Sequence, residues 1–280
     1  MSAVEGFLAA REIWQTPLLA SLLAGAMLGF LGVYVVLRRT VFVSAALTQI
    51  STVGLVFGLW LEEHLHVEAE HAHHQLAMAM GFAVVAAVIL GGLRPRRLPA
   101  EAVVGAAWVG ASAAVVLGVS RLVHAAHDLG GMVFGNAVAV PDEELWIIAA
   151  VALLCAAVHL LFQKEIVFFS FDHETARAQG VRTWLWDGAL SLTLGLAIPA
   201  SARALGALPV FAFLTLPAAA ALLLRVRLGV AFLLAGAFGL LAAGGGYLAS
   251  WFGETPTGAT MVAVAALFLL PGAALGRIRG

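Results

Sequence analysis

Charge is what this chain has least of. Asp, Glu, Lys and Arg make up 11% of its 280 residues, where a soluble domain carries about 25%. With 62% hydrophobic residues and a mean hydropathy of +1.00, that scarcity excludes a soluble globular domain and points to an integral membrane protein. A formal net charge of −1 argues against a nucleic-acid partner. The single cysteine, Cys155, lies in an apolar run and cannot form an intrachain disulfide. Two motifs are missing as well. There is no Gly-x-x-x-x-Gly-Lys-Ser/Thr loop to cradle phosphates, so ATP is not bound here through such a site. There is no His-Glu-x-x-His, which speaks against an intramembrane metalloprotease. Glu5, Arg11 and Glu12 precede the first apolar run in place of a basic n-region, so a cleaved signal peptide is not expected.

What is present is apolar sequence in helix-length runs. About 20 such residues cross the hydrocarbon core. Candidate spans are 17–37, 42–61, 76–93, 102–123, 145–162, 185–202, 204–224, 228–251 and 257–275. The expected fold is therefore all-α, a polytopic membrane protein with about nine transmembrane helices forming a single domain over 1–280. An odd count puts the termini on opposite sides. If the spans alternate, Arg38/Arg39, Arg94/Arg96/Arg97, Lys164/Arg177/Arg182, Arg225/Arg227 and Arg277/Arg279 share one face. By the positive-inside rule that face is cytoplasmic, with the N-terminus outside and the C-terminus inside.

A polar island interrupts this pattern, Phe168-Phe-Ser-Phe-Asp-His-Glu-Thr-Ala-Arg-Ala-Gln-Gly-Val181. Asp172 can cap a short helix with Glu174 in its first turn, and Gly180 can end it near 180. Such a stub on the cytoplasmic face has the shape of a docking element for another protein. The second span carries Ser44, Thr48, Gln49, Ser51 and Thr52. Polar groups in lipid must face protein or water, so this stripe either lines a pore or bonds neighbouring helices.

Histidine is concentrated in one expected outer loop. His64, His66, His71, His73 and His74 are five of the nine in the chain, interleaved with Glu62, Glu63, Glu68 and Glu70. Imidazole with carboxylate suits zinc and related ions, yet the spacing is irregular. Either the loop is a loose metal collector or it is solvated polar surface. Asp142, Glu143 and Glu144 at the outer face either attract cations, dock a partner or cap a helix at the boundary. His159 lies alone within a span, as a functional group or a packing residue. Arg203 at an outer helix end can snorkel to the interface. Pro199, Pro209 and Pro217 are positioned to bend or break two helices.

Five segments together resemble the permease subunit of the manganese/zinc/iron family of ABC importers. They are Gly29-Phe-Leu-Gly-Val-Tyr-Val-Val-Leu-Arg-Arg39, Met132-Val-Phe-Gly-Asn-Ala-Val-Ala-Val-Pro-Asp-Glu-Glu-Leu145 and Phe171-Asp-His-Glu-Thr-Ala-Arg-Ala-Gln-Gly-Val181. The fourth is Leu205-Gly-Ala-Leu-Pro-Val-Phe-Ala-Phe-Leu-Thr-Leu-Pro-Ala-Ala-Ala-Ala221, and the fifth Thr255-Pro-Thr-Gly258. Each is weak alone; their shared order along the chain makes the resemblance specific.

The resemblance implies a homodimeric, multi-pass permease in a bacterial-type inner membrane. It also implies a separate cytoplasmic ABC ATPase and an extracytoplasmic metal-binding protein as partners, with membrane lipid around the spans. The chain itself would be no enzyme and would hold no permanent cofactor; zinc, manganese or iron would be cargo. ATPase coupling then falls to Asp172, His173, Glu174, Ala176, Arg177 and Gly180, and translocation to Ser44, Thr48, Gln49, Ser51 and Thr52. One departure stands out: the family reads Gly-Asp-Ala-Leu-Ser-His-Ala after the double arginine. Here Ala45 stands for the acid and Gln49 for the histidine, an amide oxygen in place of an imidazole nitrogen. The alternative is an ATP-independent secondary transporter or channel for a cation. It would need an intramembrane acid, for which only Asp187, near a cytoplasmic edge, is a candidate.

Overall fold

A computed structural model describes residues 10–65, 71–92, 98–122, 140–171, 175, 179 and 183–271. Among them every regular element is a helix. In chain order the helices are α1 (Arg11–Leu37), α2 (Val41–Leu65), α3 (His71–Gly92), α4 (Ala100–Val119) and α5 (Asp142–Leu161). They continue as α6 (Gln163–Phe171), α7 (Thr183–Leu205), α8 (Ala207–Leu223), α9 (Leu228–Gly253) and α10 (Thr257–Leu267). Seven of these helices are long and apolar enough to cross a membrane: α1, α2, α3, α4, α5, α7 and α9. The two remaining expected spans appear as shorter apolar helices, Ala207–Leu223 and Thr257–Pro271. At about 1.5 Å per residue, the 17 residues of α8 reach about 26 Å, under the ~30 Å hydrocarbon core.

The sequence marks Pro199, Pro209 and Pro217 as points of bending or breakage. Helix α7 nevertheless runs through Pro199 and α8 through Pro217. The break falls at Gly206, whose φ of 90° is open to glycine and strained for other residues. Pro209 sits in the first turn of α8, where its missing N–H costs no intrahelical bond.

The chain divides into two compact units. The first comprises Met1–Val36, Gly131–Ala152 and Ser201–Gly280. It is held by very close helix approaches, made where side chains are absent or minimal. A Cβ on Gly25 would lie 2.5 Å from the Gly239 carbonyl oxygen and 2.9 Å from the Ala243 Cβ. Gly29 meets the Ala235 carbonyl and Gly32 the Leu214 carbonyl in the same manner. In lipid, such contact is a main source of helix association, because no hydrophobic force separates helix from acyl chain. Tyr34 packs on Phe232 with ring centroids 4.6 Å apart and extends this seam.

The second unit comprises Leu37–Gly130 and Leu153–Ala200. Its centre is the α2–α3 hairpin, backed by α4. Gly54 faces the Met78 backbone and Gly58 the Gln75 Cα, which a Cβ on Gly58 would meet at 3.0 Å. Gly118 lets α4 lie against Val56, and Gly195 lets α7 lie against Val84.

Candidate translocation face and its two ends

Helix α2 carries the whole polar stripe that the sequence singles out, and its rotation decides what that stripe can do. Ser44, Thr48, Ser51 and Thr52 are buried. Three of the hydroxyls are spent on their own helix. Ser44 Oγ donates to the Val41 carbonyl at 2.6 Å, Thr48 Oγ1 to Ala45 at 2.7 Å and Thr52 Oγ1 to Thr48 at 3.0 Å. These four residues offer almost no surface to an aqueous path in this conformation. They share the packed stripe of Leu47, Gly54 and Gly58, so the spacing that suggests a pore is the spacing of a packing face. These three hydroxyls satisfy themselves locally, as serine and threonine do in apolar helices.

Gln49 lies elsewhere. It is half-buried, with Ala45 and Val53, on a line that runs between exposed Phe42 and exposed Phe57 and Trp60. Spaced four apart, residues 45, 49 and 53 form one ridge of the helix, and Gln49 is its polar member. Ala45 and Gln49, the two positions at which the sequence departs from the pattern it resembles, therefore share the half-exposed ridge of α2 and not the buried one.

One end of the second unit carries Arg38 and Arg39. Arg38 forms an ion pair with Asp187, and its guanidinium carbon sits 4.8 Å from the Phe169 ring centroid. Asp187, the only acid that sequence reading leaves for proton or sodium coupling, is thus a counter-ion for Arg38. Arg39 turns the chain from α1 to α2 with a φ of 56°. A cavity of about 610 Å³ opens here, lined by Arg39, Phe42, Gly91, Glu101 and Phe171 among others. Phe171 ends α6, which therefore takes in the first four residues of the polar island. The coupling residues Asp172, His173, Glu174, Ala176, Arg177 and Gly180 lie outside the described residues. Of the island's later part, Gln179 N–H donates to the Thr175 carbonyl at 3.0 Å, one α-helical turn.

The opposite end of the α2–α3 hairpin carries Glu62, His64 and His74. His64 is exposed, bonds the Trp60 carbonyl through Nδ1 at 3.0 Å and stacks on the Trp60 ring at 4.6 Å. His74 faces Glu62, Nδ1 to Oε1, at 4.0 Å. His66 and the side chains of His71 and His73 lie outside the described residues. Among the described residues no group of three or more His, Cys, Asp or Glu is placed to hold a metal ion.

The other candidates take structural roles. Asp142 accepts a hydrogen bond from Thr16 Oγ1 at 2.6 Å, and Glu144 pairs with Arg203 at 2.6 Å. Two of the three acids for which the sequence leaves cation attraction, partner docking or helix capping open are thus engaged with neighbouring helices of the first unit. Arg203, which the sequence leaves able to snorkel, is held by this carboxylate. His159, fully buried, meets Thr193 Oγ1 through Nε2 at 3.0 Å. Thr193 Oγ1 in turn donates to the Leu190 carbonyl at 3.0 Å. This histidine is a packing residue.

Comparison with known proteins extends over nearly the whole chain. It is 27% identical over 257 residues to the manganese transport system membrane protein MntC of Halalkalibacterium halodurans, covering 91% of this chain and 85% of that protein. It is 24% identical over 259 residues to the manganese import system permease protein ScaB of Streptococcus gordonii, covering 91% and 88%. Its fold matches the solved structure of PsaBC from Streptococcus pneumoniae in complex with Fab, with a TM-score of 0.82 at 22% identity, over 96% of this chain and 95% of that one. The ABC 3 transport family, an ABC transporter family, matches residues 10–276, and the chain belongs to it.

Proposed function

We propose that this chain is the membrane permease subunit of an ABC importer for a divalent metal ion, manganese before zinc or iron. The observation that carries the reading is the match along the whole chain to membrane proteins named for manganese transport. The chain would act as one permease domain, with nine spans when α8 and α10 are counted, in a bacterial plasma membrane. It would work as a homodimer with a cytoplasmic ATPase and an extracytoplasmic metal-binding protein.

Three features of the second unit support the details. The basic end, with Arg38, Arg39 and the cavity at Phe171, fits a cytoplasmic face by the positive-inside rule. ATP-driven motion would enter there, through the island at 168–181. The Gln49 ridge of α2 then faces the ion's route, with the hydroxyls of Ser44, Thr48, Ser51 and Thr52 forming the packed wall behind it. An amide oxygen is a hard, neutral donor. It suits an ion passing through better than one held, and manganese better than the softer-ligand metals. The pairing of Asp187 with Arg38 leaves the ATP-independent alternative without its coupling acid.

The test is uptake of radioactive manganese into proteoliposomes that contain the chain with its cognate ATPase. Accumulation that requires ATP, and that falls in Gln49→Leu, is expected. Uptake that is equal with and without ATP would remove the importer reading.

A further inference from the structure

The end of the α2–α3 hairpin holds two ligand atoms that face each other with nothing bonded to either. Glu62 Oε1 and His74 Nδ1 are both buried atoms without a hydrogen-bond partner, and they stand 4.0 Å apart. That separation is too long for a hydrogen bond. A metal bound at about 2.0–2.2 Å to oxygen and about 2.0–2.1 Å to nitrogen would set the two atoms about 3.4 Å apart at a tetrahedral angle, so the pair stands somewhat wider than a bound geometry. Closing the gap to about 3.4 Å, a small side-chain rotation, would bring the angle at the ion to the tetrahedral value.

The pair is also preorganised. Gln75 Nε2 donates to Glu62 Oε2 at 2.8 Å, which fixes the carboxylate and turns its other oxygen toward His74. Beneath it, Gly54, Gly58 and Glu62 are spaced four apart on α2. The two glycines bring the α3 backbone into contact at Met78 and Gln75, so residue 74 is carried on a close-packed helix pair and not on a free loop. His64, by contrast, is exposed and engaged with Trp60.

We propose that Glu62 and His74 form a two-ligand site for a first-row divalent cation at this end of the hairpin, with water completing the shell. Carboxylate with imidazole suits manganese and zinc. Two protein ligands make a site that exchanges its ion readily, unlike a closed four-ligand structural site. If the permease reading holds, on which only this role depends, the site lies at the outer side. It would receive the ion before the Gln49 ridge, which lacks an imidazole.

The experiment is Mn(II) titration of the full-length chain in lipid nanodiscs, without the ATPase, followed by pulsed electron paramagnetic resonance of the bound ion. Expected are a nitrogen coupling from one imidazole, loss of that coupling in His74→Gln, and affinity lowered by at least about tenfold in Glu62→Gln and His74→Gln. The triple change His66→Ala, His71→Ala and His73→Ala should leave binding in place. No nitrogen coupling on the wild-type chain, or wild-type affinity in both single variants, overturns the site. Since no transport is measured, failure of manganese uptake with this binding intact would count against the permease reading alone.

Discussion

Replacing Gly25 by alanine tests the packing of the first unit. The added Cβ would sit 2.5 Å from the Gly239 carbonyl oxygen and 2.9 Å from the Ala243 Cβ. Ordinary contact begins at 3.4 Å, so α1 and α9 must part by about 0.9 Å at their crossing. Overpacking of this kind costs about 1–3 kcal/mol. Gly110 in α4 is the matched control, since a Cβ there meets nothing within 4 Å. Alanine gains about 0.8–1.0 kcal/mol over glycine in a helix at either place. That term cancels in the comparison and leaves the clash. At roughly 2–4 °C per kcal/mol for a chain of this size, Gly25→Ala should unfold about 2–12 °C below Gly110→Ala. The assay is thermal unfolding in detergent, followed by size-exclusion recovery. A Gly25→Ala protein as stable as Gly110→Ala would refute the backbone contact between α1 and α9.

Two further outcomes follow from the second unit. Asp187→Ala strands the half-buried Arg38 guanidinium and should cost about 1–3 kcal/mol, while Arg38→Met with Asp187→Leu should recover most of it; unchanged melting in Asp187→Ala would deny the pair its role. Replacing Glu174 and Arg177 together by alanine should abolish ATP-driven uptake while the chain still folds and inserts. Full transport in that variant would remove coupling from the island.

Much of the fold is legible in the sequence because lipid imposes it. Apolar runs of about 20 residues in a chain this poor in charge point to helices and mark where they lie. The rotation of α2 is less plain. Ser44, Thr48 and Ser51 look like a pore stripe until Gly54 and Gly58 are placed on the same line. That glycine spacing was the available signal that this side is packed against backbone, and it leaves Gln49 on the open ridge. The pairs Arg38–Asp187, Thr16–Asp142 and Glu144–Arg203 join residues far apart in sequence. Periodicity carries no information about such partners, so isolated charges at helix ends read equally well as functional groups. The same holds for His159, whose partner Thr193 lies on another helix. The facing of Glu62 and His74 across the hairpin is likewise a property of packing, although both residues stand out in the sequence.

The most direct test of the account is ATP-dependent accumulation of manganese in proteoliposomes holding this chain and its cognate ATPase. Uptake should require ATP hydrolysis and be lost when the 168–181 segment is uncoupled. ATPase activity that responds to the chain while no divalent metal accumulates would contradict it, and would mean that the family scaffold carries a different cargo.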